Sequence, residues 1–122
     1  MSKVRIHHVQ TGKMLRIQNG KIEAKSDKDT IDDDSIFLKH DAGDHDHYQH
    51  HQNQDLYITI SNGKAAPGDK PDEPLTKEYT GGRGTIALHR NGQYVAFDDN
   101  GDVVAASDAG DNVRLQVVPY NA

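Results

Sequence analysis

The chain has 122 residues, a formal net charge of -5 and no cysteine, which leaves room for one packed core and excludes a disulfide framework and thiolate chemistry. With a pI near 5.8 it lacks the clustered lysine and arginine that displace counterions from a phosphate backbone, so nucleic acid is not an expected partner. Only 34% of residues are hydrophobic and no apolar run approaches the roughly 20 residues of a membrane helix, so a thin core of short strands between polar loops is expected, with no transmembrane segment.

Met1-Ser2-Lys3-Val4-Arg5 leads directly into a strand pattern and lacks the apolar stretch of a secretory signal. Taken with the absence of cysteine, it sets the expectation of a cytoplasmic protein, or of one whose signal has been removed. Val4-Arg5-Ile6 and Met14-Leu15-Arg16-Ile17 alternate as strands do and lead to the turn Gln18-Asn19-Gly20-Lys21. An acidic loop from Asp27 to Asp34 then precedes Ser35-Ile36-Phe37-Leu38.

A polar, histidine-rich stretch follows, then the strand Leu56 to Ile60 and the turn Ser61-Asn62-Gly63-Lys64. Ala65 to Pro74 holds three of the four prolines, which predicts a long loop and no regular strand before Leu75 to Tyr79. Gly81-Gly82-Arg83-Gly84 has no following Lys-Ser or Lys-Thr and no helix after it, so it reads as a connector and not a phosphate loop. Thr85 to Leu88 and Tyr94 to Phe97 are strands, the turn Asp99-Asn100-Gly101-Asp102 follows, and Val113 to Val117 closes the chain.

Asn-Gly suits tight hairpins because both residues tolerate positive φ, so the three Asn-Gly turns predict three equivalent hairpins. Aligning on them gives a repeat of about forty residues, with units near 3–42, 43–83 and 84–122. The second unit matches the first at an offset of 43. Three units of four short strands predict an all-β fold, a single β-trefoil domain over residues 1–122.

The motif Ile6-His7 to Gly12-Lys13, strand, Asn-Gly, then a small-residue strand and Ser107-Asp108 before an aliphatic strand resembles the fascin and hisactophilin group of actin-associated trefoils. Some trefoil lectins carry similar stretches. These resemblances imply a trefoil binding module and, from hisactophilin, pH-linked association with actin. The chain has no Trp, so the Gln-x-Trp signature of ricin-type lectins is absent, as is the His-Pro-x-Gly-Gly motif of a mussel lectin group.

The repeat alignment places His7, His50 and His89 together after the first strand of each unit, as candidate ligand contacts. Tyr48, Tyr57, Tyr79 and Tyr94 offer faces for stacking on a sugar ring, with amides and carboxylates as hydrogen-bond partners. His40, His45, His47, His50 and His51 interleave with Asp41, Asp44 and Asp46. Imidazole and carboxylate suit Zn, Ni or Cu ions, and His45, His47, His50 and His51 are the candidate ligands. A single polar tract is nonetheless expected to act as a solvated loop that binds metal adventitiously, and the same cluster suits pH sensing.

The acidic loop and the turn from Asp98 to Asp102 lack EF-hand spacing and read as solvated turns. No signature surrounds any serine, so no catalytic residue, no enzyme activity and no cofactor are expected. The expected partner is a glycan or a protein ligand. A lectin-like module is the leading expectation, a fascin-like or hisactophilin-like protein- or actin-binding module the second, and a protease inhibitor acting through Ala65 to Pro74 the third.

Overall fold

Side chains that alternate between apolar and polar give strands with one buried face, and the computed structural model, which describes residues 2–80, 82 and 84–121, contains eleven of them. These are β1 (Ser2–His8), β2 (Lys13–Gln18), β3 (Lys21–Ser26), β4 (Phe37–Asp41), β5 (His45–His50), β6 (Tyr57–Ser61), β7 (Lys64–Gly68), β8 (Leu75–Tyr79), β9 (Ile86–Arg90), β10 (Gln93–Tyr94) and β11 (Leu115–Pro119). Antiparallel pairs β1–β4, β4–β5, β5–β8, β8–β9, β9–β11 and β11–β1 return to their starting strand and close a six-strand barrel. Closure leaves no open edge in the barrel wall.

The hairpins β2–β3 and β6–β7 project from the barrel, and a third, irregular one joins β10 to the Phe97–Val103 bridge. Barrel plus three hairpins is the β-trefoil expected from the repeat. Its main core gathers buried Ile6, Leu15, Phe37, Ile58, Leu75, Leu88, Phe97 and Leu115 from all three units. Each such side chain contributes about 1.5–3 kcal/mol relative to exposure.

Strand register fixes which residues are equivalent. Val4 faces Phe37, Asp46 faces Leu75 and Ile86 faces Leu115. The inward positions are therefore Val4, Ile6 and His8 on β1, Asp46, Tyr48 and His50 on β5, and Ile86, Leu88 and half-buried Arg90 on β9.

Three local expectations are corrected. The histidine-rich stretch is a strand: β5 pairs with β4 across five consecutive residue pairs, from Phe37–His50 to Asp41–Asp46, because its even positions fill the barrel. Lys64–Gly68 is also a strand, with Pro67 opposite Ile58. β7 ends the strand path, and proline is tolerated there because an outermost strand has only one partner; the loop shrinks to 69–74. The third Asn-Gly turn differs from the first two, where Asn19 and Asn62 have φ of 55° and 54°. Asn100 has no positive φ, Gly101 alone does at 82°, and its N–H donates to the Asp98 carbonyl at 3.0 Å. This turn packs on β3: the Gly101 carbonyl accepts from the Ala24 N–H at 2.8 Å, and a Cβ on Gly101 would strike the Ala24 carbonyl.

Candidate functional site

On the outer wall of the barrel the equivalent cross-strand pairs are His7–Met14, Gln49–Tyr57 and His89–Tyr94. His7 and His89 share a position, as the repeat predicts, but its third member is Gln49. The offset of 43 holds for the hairpins and drops to 42 at the preceding strand, because the connection from β5 to β6 is one residue longer than that from β1 to β2. A slip of one residue turns a side chain to the other face.

His50 therefore belongs to the interior with His8. It is 3% exposed; its Nε2 donates to the Asp34 carbonyl at 3.1 Å and its Nδ1 accepts from the Asn53 N–H at 3.1 Å. Tyr48 is also interior, with no exposed surface, and its hydroxyl donates to Asp46 Oδ2 at 2.6 Å. Burial, then that bond and the Asp46 charge, raise the phenol pKa. Neither His50 nor Tyr48 is available to a ligand, which corrects both assignments.

Tyr94 is largely covered: its hydroxyl donates to the Glu78 carboxylate at 3.2 Å and its ring lies 4.9 Å from that of His89. The outer position of the third unit is thus filled by the His89–Tyr94 ring pair, with Glu78 of the second unit against it. In the second unit Tyr57 packs edge-on to His47, 6.2 Å between centroids. Tyr79 stands 71% exposed, away from these positions on β8.

The first unit leaves its outer position beside a depression of about 430 Å³ between β1, β11 and the loop at 28–31. His7 Nδ1 donates to Gln116 Oε1 at 3.3 Å across the β1–β11 pair. Met14, Ile31 and Val118 supply an apolar surface, with Ile31 48% and Val118 42% exposed, and Tyr120, Lys28 and Asp29 complete the lining.

Arg5 holds the loop in place. Buried against the barrel, it donates to Ser35 Oγ at 3.1 Å, the Lys28 carbonyl at 2.9 Å and the Asp27 carbonyl at 2.8 Å. Burial lowers its pKa, opposed by Asp32, Tyr120 and Asp27, and an arginine so bonded remains charged. Gln116, Val118 and Tyr120 were not anticipated. The alternation along Leu115 to Val118 marks an outer face, but the pairing of β11 with β1 is a long-range fact that the alternation does not carry.

The four candidate metal ligands do not converge. His45 and His47 face outward on β5, His50 faces inward, and His51 lies beyond the strand, where its N–H donates to the Ile36 carbonyl at 3.0 Å. Among the described residues no three His, Asp or Glu side chains form a metal-holding group. In the acidic loop, Asp32 caps the turn Asp33–Ser35, accepting from the Asp34 N–H at 3.0 Å and from Ser26 Oγ at 2.9 Å, a structural role. Gly81 and Arg83 of the glycine-rich connector lie outside the described residues. Among the described residues no helix is long and apolar enough to cross a membrane.

No protein-family model matches the chain, and no curated protein matches its sequence. Solved structures match its shape. The designed 3-fold symmetric protein ThreeFoil superposes with a TM-score of 0.75 at 15% identity, covering 97% of this chain and 99% of that one. SeviL, solved bound to asialo-GM1 saccharide, superposes with a TM-score of 0.77 at 13% identity, covering 99% of each chain. The likeness is to trefoils broadly and does not single out the fascin and hisactophilin group. The chain has the β-trefoil fold.

Proposed function

We propose that the domain is a non-catalytic carbohydrate-binding module whose ligand rests in the depression between β1, β11 and the loop at 28–31. The observation that carries this reading is the mixed lining of that depression: the His7–Gln116 pair and Asp29 stand beside exposed Ile31 and Val118 and the ring of Tyr120. A pyranose has an apolar face and a rim of hydroxyls, and a site for it combines an aromatic or aliphatic platform with amide, imidazole and carboxylate partners. SeviL, of the same fold, holds a saccharide, which supports the class of ligand and not its identity.

Arg5 supports the reading further, because it fixes the 27–28 backbone through two carbonyls and so orders one wall of the depression before a ligand arrives. A glycan array probed with the intact domain tests the proposal. Binding to a restricted set of glycans is expected; an array without a binder at high protein concentration counts against it.

A further inference from the structure

His40 and His47 stand directly opposite each other on β4 and β5, on the outer wall of the barrel, both partly buried. Directly opposed strand residues hold their Cβ atoms about 4.5–5.5 Å apart, close enough for two imidazoles to share one ion. The tautomers are fixed by neighbours. His40 Nε2 donates to Gln49 Oε1 at 2.8 Å, and His47 Nε2 donates to the Pro71 carbonyl at 3.2 Å. With Nε2 protonated in each ring, both Nδ1 atoms carry free lone pairs. A ring that gives one N–H to a carbonyl and keeps the other nitrogen as a donor is the arrangement found around metal-ligating histidines, where the outer acceptor sets the ring orientation and raises its basicity.

We propose that His40 and His47 form a two-histidine site for a divalent first-row transition cation, ligated through both Nδ1 atoms, with water in the remaining positions. Among the described residues no carboxylate joins the pair in a three-ligand group: Asp46 turns inward on the alternate face of β5 and is fully buried, and Asp41 is engaged by Lys39 at 3.9 Å. An imidazole pair prefers Cu(II) over Ni(II) and Zn(II), following the Irving–Williams order. Tyr57, packed edge-on to His47, and the 69–74 loop that supplies the Pro71 carbonyl hold the second ring in place. The site is separate from the depression on β1 and β11 and stands whether or not that depression takes a glycan.

The test is calorimetric titration of the intact domain with CuSO4, NiCl2 and ZnCl2, repeated on His40→Ala, His47→Ala, His45→Ala and Gln49→Leu, with thermal unfolding of each metal-free variant as a folding control. One Cu(II) per chain is expected, bound more tightly than Ni(II) or Zn(II). His40→Ala and His47→Ala each lose the site and His45→Ala keeps it. Gln49→Leu weakens it by about tenfold, the lower end of what losing an outer acceptor costs. Undiminished binding in His40→Ala, or loss in His45→Ala, overturns the proposal. Should an alanine variant unfold, the wild-type Cu(II) complex still decides by electron paramagnetic resonance: two equatorial imidazole nitrogens are expected, and one or none overturns it.

Discussion

His8 and His50, 42 residues apart in the sequence, bond their surroundings in the same way. Each reaches the turn that follows its strand, Thr11 Oγ1 at 2.9 Å and the Asn53 N–H at 3.1 Å, and each gives Nε2 to a carbonyl in a short helical turn, Asn112 at 2.8 Å and Asp34 at 3.1 Å. Both rings also pack edge-on to a core phenylalanine, Phe97 and Phe37. The two histidines staple successive units of the trefoil together: His8 of the first holds the turn of the third, and His50 of the second holds the turn of the first.

The His8 staple makes stability depend on pH. Burial lowers the His8 pKa below its ordinary value of 6.5, assisted by His7 and opposed by the Asn112 carbonyl. The unfolded chain then binds a proton more readily than the folded one, so His8 contributes stability that is complete above about pH 6.5 and lost as the pH falls through the folded-state value. Urea unfolding between pH 7.5 and 5 is expected to show a decline whose slope from this group is at most about 1.4 kcal/mol per pH unit. His8→Asn should flatten it. An equally steep decline in the variant would remove His8 as its source.

The barrel interior contains one polar trio. Asp46 and Tyr48 occupy the positions filled by Val4 and Ile6 in the first unit, and Lys77 the position filled by Val117 in the third, with Lys77 Nζ 3.5 Å from Asp46 Oδ2. Lys77→Met leaves a fully buried carboxylate without its cation, and a loss of about 3–5 kcal/mol is expected. The triple variant Asp46→Val, Tyr48→Phe, Lys77→Val restores an apolar interior and is expected to equal or exceed the wild type. Chemical denaturation of both variants checks the pair; a triple variant weaker than the single one would show that the trio stabilises the barrel in its own right.

Gly101 is required twice over, by its φ of 82° and by the approach of the Ala24 carbonyl. Gly20 has a φ of 75° and open space around it. Gly20→Ala should cost about 1–2 kcal/mol, the conformational term alone, and Gly101→Ala distinctly more. Equal melting temperatures for the two variants would mean that the contact between the third hairpin and β3 yields freely.

Much of this architecture is legible in the residues. The Asn19-Gly20 and Asn62-Gly63 turns, the alternation in β1, β2, β6 and β9, and the shared place of His7 and His89 all follow from local chemistry with a repeat laid over it. What failed did so at insertions and at long range. One extra residue between Gln49 and Tyr57 carried His50 across the sheet, Pro67 concealed an outermost strand, and the depression depends on β11 meeting β1, which no local pattern encodes. Tyr48 misled for a different reason: its hydroxyl signals exposure, but Asp46, itself buried beside it, satisfies that hydroxyl inside the barrel.

The most direct measurement of the central claim is calorimetric titration with a glycan selected on the array, comparing the wild type with Gln116→Ala, Tyr120→Ala and Tyr79→Ala. The account predicts at least tenfold weaker binding for the first two, consistent with loss of roughly 1.4 kcal/mol or more each, unchanged melting temperatures, and wild-type affinity for Tyr79→Ala. Wild-type affinity in both Gln116→Ala and Tyr120→Ala, or loss confined to Tyr79→Ala, would contradict it.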